Sequence, residues 1–115
     1  MIDNNKLLDI IKKDPANIID IPEEYRSYEI CMEALKLEPM TLYYIPYKIL
    51  NYNMCLEAVK QNGAALEFVP HKYRTYELCF EAIKEYPNAI QFVPTLFKNI
   101  KRGWWVLCLL IYSVI

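Results

Sequence analysis

The chain repeats itself every twenty-four residues, and that period confines it to a narrow set of folds. IPYKILNYNMCLEAVKQNGAALEF (45–68) aligns without a gap over VPHKYRTYELCFEAIKEYPNAIQF (69–92), and IPEEYRSYEICMEALKLEPMTLYY (21–44) falls into the same register. The N-terminal stretch 3–20 follows it too, with Asp14-Pro15 over Glu38-Pro39 and Tyr86-Pro87. A repeat this short cannot bury its apolar faces alone, so its copies must stack. All seven prolines lie on two columns of the alignment. Pro15, Pro39 and Pro87 share one with Gly63, and Pro22, Pro46, Pro70 and Pro94 form the other. Proline at a fixed phase separates short elements.

Each copy reads as a helical hairpin. Thr75 is a good N-cap for YELCFEAIKEY, a helix of about eleven residues, and Asp3, Ser27, Asn51 and Asn99 hold the aligned position. Tyr76, Cys79, Phe80 and Ile83 recur at i, i+3, i+4 and i+7, with Ala82 and Tyr86 widening that face. Pro87 then suits the first position of a shorter helix, because its missing N–H costs nothing there. Ala89, Ile90, Phe92 and Val93 supply the apolar face of that helix. Pro94 ends it by forcing the preceding residue out of the α region. The expected fold is all-α: an α-solenoid of stacked helical hairpins, one long and one short helix per 24-residue repeat. Residues 1–115 form a single repeat domain: an atypical copy at 1–20, then 21–44, 45–68, 69–92 and a divergent apolar copy at 93–115.

Several columns bear on packing. Ala34, Ala58 and Ala82, with Ile10 in the first copy, are expected to face the next layer closely. Cys31, Cys55 and Cys79 share a column. Stacked helices lie about 10 Å apart, whereas a disulfide needs Cα atoms within about 7 Å. They read as small buried hydrophobes in a reducing compartment, and MIDNNKLLDIIKKD lacks the long apolar core of a secretory leader. A cytoplasmic location is expected. Tyr28, Tyr52 and Tyr76, and Tyr25 and Tyr73 with Ile49 and Phe97, are expected in the inter-repeat core, their hydroxyls reaching the turn backbone or solvent. Asp9, Glu33, Glu57 and Glu81 stand three residues before Lys12, Lys36, Lys60 and Lys84, as a solvated stripe of helix ion pairs.

Composition excludes more functions than it proposes. A net charge of −1 lacks the basic surface that nucleic acid requires, so nucleic-acid binding is disfavoured. Two glycines leave no phosphate-cradling loop, and no small-molecule substrate or cofactor is expected. One histidine, His71, and no CxxC cannot assemble a zinc site. The only serines are Ser27, a cap, and Ser113, so no Ser/His/Asp set exists, and the cysteines near His71 are expected to be buried. No catalytic, cofactor-binding or metal residue is assigned, and a non-enzymatic protein is expected.

CLEAVKQNGAALEFVP (55–70), echoed by CMEALKLEP and CFEAIKEYP, resembles a widespread bacterial family of short tandem repeats of unknown function. Its members read approximately "elcleAvkqnGxaLxyvP", and the likeness covers 3–98. The resemblance implies a helical-repeat scaffold and carries no catalytic residues. The first copy departs from it by lacking the Cys-Glu-Ala core, and the last abandons the pattern.

That last copy is the anomaly. Trp105 stands where Glu81 is solvated and Cys108 where Lys84 is, and residues 104–115 contain one serine and no charge. Twelve residues are too few to span a membrane. A surface-lying helix would keep a polar face, so membrane association, with Lys98, Lys101 and Arg102 flanking the run, ranks behind burial against protein. The expected function is a protein-binding module that scaffolds or occludes a larger macromolecule through its long helices and apolar end. Lys101, Arg102, Trp104, Trp105, Tyr43, Glu67 and Gln91 are the candidate contacts. The alternatives are a self-associating module that forms homo-oligomers through 104–115 and a membrane-surface repeat protein.

Overall fold

The structure is a computed structural model, and residues 3–95 are described. Four long helices recur at twenty-four-residue intervals: α1 (Asn4–Lys13), α2 (Tyr28–Leu37), α3 (Tyr52–Gln61) and α4 (Tyr76–Glu85). Each has ten residues, one fewer than the sequence suggests, and each is followed by a six-residue 3-10 helix: Pro15–Asp20, Pro39–Tyr44, Gly63–Phe68 and Pro87–Phe92. Among the described residues there is no strand. The fifth copy, with the Asn99 cap and Phe97, lies outside the described residues.

The starts of these helices follow directly from residue type. Asp3, Ser27, Asn51 and Thr75 accept from the backbone N–H of Asn5, Ile30, Met54 and Leu78 at 3.0, 3.3, 2.9 and 3.2 Å. The residue that ends a long helix also starts the short one. Asp14, Glu38 and Asn62 donate their own N–H back to Ile10, Ala34 and Ala58, while their side chains accept from Ala16, Met40 and Ala64. Tyr86 makes the first of these bonds but provides no side-chain cap. The proline-led turns after Pro22 and Pro70 tighten into 3-10 helices at Glu23–Tyr25 and His71–Tyr73, whereas residues 47–49 form a plain turn.

The copies stack in chain order. Each long helix packs on its own short helix and on the long helices beside it, and α2, α3 and α4 also pack on the short helix of the preceding copy. The result is elongated, 54 × 28 × 17 Å, with a radius of gyration of 15.9 Å. A globule of this length would measure about 12–13 Å. Ile30, Cys31, Ala34 and Leu35 are fully buried in α2, as are Met54, Cys55, Ala58 and Val59 in α3 and Leu78, Cys79, Ala82 and Ile83 in α4. The buried arc is therefore turned from the expected one. Leu78 lies inside, Tyr76 and Phe80 are half-buried at its edge, and Tyr86 is exposed. A helix flanked by layers on both sides buries a different arc from one lying on a flat core.

The alanine column is fully buried, and the Ala82 backbone closes tightly on Gly63 of the preceding copy. A Cβ on Gly63 would collide with the Ala82 carbonyl oxygen and lie 2.8 Å from the Tyr86 Cβ. Gly63 has no positive φ, so what it contributes there is space. Ile10, which aligns with the buried Ala34 but belongs to the first layer, is 41% exposed.

Candidate functional site

The short helices carry the most distinctive surface among the described residues. Their fifth positions are Ile19, Tyr43, Glu67 and Gln91, one column whose residues differ in chemistry and are all exposed. Tyr43 is 65% and Ile19 49% exposed, high values for large apolar side chains. Ala16, Ile19, Met40, Thr41, Tyr43, Tyr44 and Phe68, with Glu38 at the rim, line a groove of about 410 Å³ running over three successive short helices. The Tyr43 ring stands edge-on to Tyr44 and Phe68, with centroids 5.1 and 5.2 Å away. Edge-to-face packing of this kind fixes ring orientation. The groove wall is thus preformed, and Thr41 beneath it is buried with its hydroxyl donating to the Glu38 carbonyl at 2.8 Å.

The ends of the short helices are organised by two arginines. Arg26 donates through Nε to the Ile21 carbonyl at 2.8 Å, Nη1 to Tyr44 at 2.9 Å and Nη2 to Ile19 at 3.2 Å. Arg74 repeats the pattern forty-eight residues later, donating to Val69 at 2.7 Å, Phe92 at 3.0 Å and Glu67 at 3.2 Å. Each guanidinium ties the end of one copy to the end of the next with three charge-assisted bonds. Sequence reasoning overlooked these residues. The visible signal was YR before the cap in YRS and YRT, replaced by IL in ILN.

A second, smaller groove of about 260 Å³ lies on the long-helix side, lined by Tyr52, Leu56, Lys60, Tyr76, Phe80 and Glu81 among others. A polar hollow of about 750 Å³ lies at Glu23, Glu24, Arg26 and Lys48, where charges of both signs meet.

The aromatic columns are only partly internal. Tyr73 donates its hydroxyl to the Leu50 carbonyl at 3.3 Å, and the Tyr52 hydroxyl pairs with Thr75 Oγ1 at 2.9 Å. Tyr25 and Tyr28, expected in the core, are 38% and 49% exposed. The ring beside Tyr52 is Tyr73, centroids 6.5 Å apart, while the place beside Tyr28 aligned with it holds the smaller Ile49. The charge stripe closes once among the described residues, as Lys84 with Glu81 at 3.6 Å. Glu57 accepts from Gln61 instead, at 3.2 Å.

The three described cysteines are held as neutral thiols. Burial pushes the Cys31 and Cys55 thiols up to about 12 and Cys79 to about 11, the reverse of what a nucleophile needs. Cys31 Sγ donates to the Arg26 carbonyl at 3.6 Å. His71 lies exposed in its turn. Among the described residues no three His, Cys, Asp or Glu side chains gather as a metal site, and no helix is long and apolar enough to cross a membrane. Of the contacts the sequence suggests, Tyr43 lines the apolar groove. Glu67 and Gln91 continue its column beyond the groove, and Gln91 donates to the Asn88 carbonyl at 3.2 Å. Lys101, Arg102, Trp104 and Trp105 lie outside the described residues.

A family model described as "Domain of unknown function (DUF4116)" matches the chain twice, over residues 5–50 and 51–98. The chain belongs to this family. Each match spans two of the twenty-four-residue copies, and the boundary between them falls at Leu50, the residue aligned with Arg26 and Arg74. No curated protein matches the chain, and no solved structure does.

Proposed function

We propose that this member of the DUF4116 family is a non-enzymatic α-solenoid that binds another protein, acting as a scaffold or by occluding a larger macromolecule. The whole chain serves as one repeat domain whose variable short-helix column selects the partner. The observation that carries this reading is the groove lined by Ile19, Met40, Tyr43 and Phe68. An exposed apolar cleft with an aromatic anchor is the kind of surface on which binding energy concentrates. The recognition surface thereby moves from the long helices to the short ones. The free cysteines Cys31, Cys55 and Cys79 support a reducing, cytoplasmic setting.

A photo-crosslinking side chain installed at Tyr43, compared with the same side chain at the exposed Tyr28 and Tyr86, tests the reading in cells. One discrete adduct with another protein, formed from position 43 and absent from 28 and 86, is the expected result. Equal labelling from all three positions, or none from 43, overturns it.

A further inference from the structure

We propose that the junction between the second and third copies is a sliding seam, along which residues 3–44 and 51–95 move as two blocks and change the width of the short-helix groove. The inference rests on the reading of this groove as a docking surface and names what regulates it.

Three observations single out that junction. The first is how the copies are tied together. Between the first two, Asn4 donates to Glu29 at 3.0 Å, and Arg26 joins the Ile19 and Tyr44 carbonyls. Between the third and fourth, the Tyr52 hydroxyl pairs with Thr75 at 2.9 Å, and Arg74 joins the Glu67 and Phe92 carbonyls. Among the described residues no hydrogen bond or ion pair runs between 27–44 and 51–68. Those segments meet through apolar packing and the Tyr43–Phe68 ring contact. Apolar burial has no preferred direction, so helices packed without polar ties can slide past one another.

The second observation is side-chain type. Met32, Met40 and Met54, the methionines among the described residues, all lie in the two copies that this junction joins. Met54 is fully buried where the aligned residues are Ile30 and Leu78, and Met32 and Met40 pack half-buried against the core. An unbranched thioether repacks where a branched chain would resist. The third is the connection itself. The turns after Pro22 and Pro70 are 3-10 helices, whereas the turn at 47–49 that crosses the seam is plain.

The groove registers any such movement because its walls belong to different blocks. Ile19 and Tyr43 stand on short helices whose ends Arg26 joins, and Tyr43 rests edge-on against Tyr44 of its own copy. Phe68 stands across the seam. Sliding there carries Phe68 along an otherwise intact cleft.

In the full-length protein, spin labels on non-natural side chains replace the exposed lysines Lys12 and Lys36, Lys36 and Lys60, or Lys60 and Lys84, one pair for each junction. The expected result is a broader distance distribution for Lys36–Lys60 than for the other two pairs. Leu50→Arg, which brings a guanidinium to the seam, should narrow it. Arg74→Ala should broaden Lys60–Lys84, with dichroism melts showing that each variant folds. A fluorine label on the Phe68 ring should report two environments, as split or exchange-broadened lines. Three distributions of equal width overturn the inference. So does a broad Lys36–Lys60 distribution that Leu50→Arg leaves unchanged while Arg74→Ala leaves Lys60–Lys84 sharp. A single sharp fluorine line beside a broad seam would mean that the groove keeps its width, which also overturns it. A discrete adduct from position 43 together with three equal distributions defeats this inference and leaves the binding-module reading intact.

Discussion

Where the first copy meets the second, and where the third meets the fourth, an arginine holds three carbonyls from both sides of the junction. Between the second and third copies Leu50 occupies that place, and Ile49 stands where Tyr73 sends its hydroxyl to the Leu50 carbonyl. The central junction instead has the Tyr43–Phe68 ring contact, at positions held by Ile19 and Tyr44 in one clamped junction and by Glu67 and Phe92 in the other. Polar clamping and aromatic walling thus alternate along the stack. The described copies are clamped in two pairs, and the two family-model matches meet at residue 50, at the unclamped junction. The groove spans both kinds of junction, from Ala16 and Ile19 on the clamped side to Phe68 across the unclamped one.

The clamp is most exposed to test at Arg74. Arg74→Ala removes three bonds to carbonyls, two of them part-buried, and should cost about 2–4 kcal/mol in urea denaturation. Arg74→Lys should recover less than half, because an ammonium cannot present the planar fork. A loss below half a kcal/mol would show that the clamp is ornamental. Next in size is Gly63→Ala, whose new Cβ meets backbone of the neighbouring layer; a loss of about 1–3 kcal/mol is expected by the same assay. Leu50→Arg tests the seam from the other direction. If the carbonyls of Tyr43, Ile45 and Phe68 lie as their aligned counterparts do, the variant should gain about 1 kcal/mol and raise Tm. An unchanged or lower Tm would mean that the seam has a different geometry. Smallest is Tyr73→Phe, which removes one hydroxyl bond and should cost about 0.5–1.5 kcal/mol.

The cysteine column adds a pH test that is the same on both sides of the seam. Cys31 and Cys55 are raised from 9.0 to about 12 by burial, so between those values the unfolded chain loses protons that the folded one keeps. The stability from keeping these thiols neutral is complete below pH 9 and lost as pH rises toward 12. Melting curves should therefore fall above pH 9, and Cys55→Ala should make the fall shallower. An unaltered slope would place Cys55 in contact with water.

Much of the local structure was legible. Asp3, Ser27, Asn51 and Thr75 are caps because their short oxygen-bearing side chains reach a free N–H two or three residues on, a relation contained within four residues of sequence. Of the site, Tyr43 and its column could be read as the places where the repeat declines to repeat. The groove could not, since Ile19, Met40 and Phe68 come from three different copies. The rotation of the buried arc toward Leu78 was hidden for the same reason: one helix's periodicity does not record how many neighbours it has.

The residue order by itself determined the twenty-four-residue period, the helix starts and stops, and the acidic cast of the short-helix surface, because capping, proline geometry and formal charge act over a few bonds. Only the tertiary structure decided which repeats are clamped in pairs, how closely Gly63 meets the next helix and where an apolar cleft opens. The three carbonyls one guanidinium holds, and the walls of one groove, come from separate copies of the repeat. Their convergence exists only after the layers have stacked.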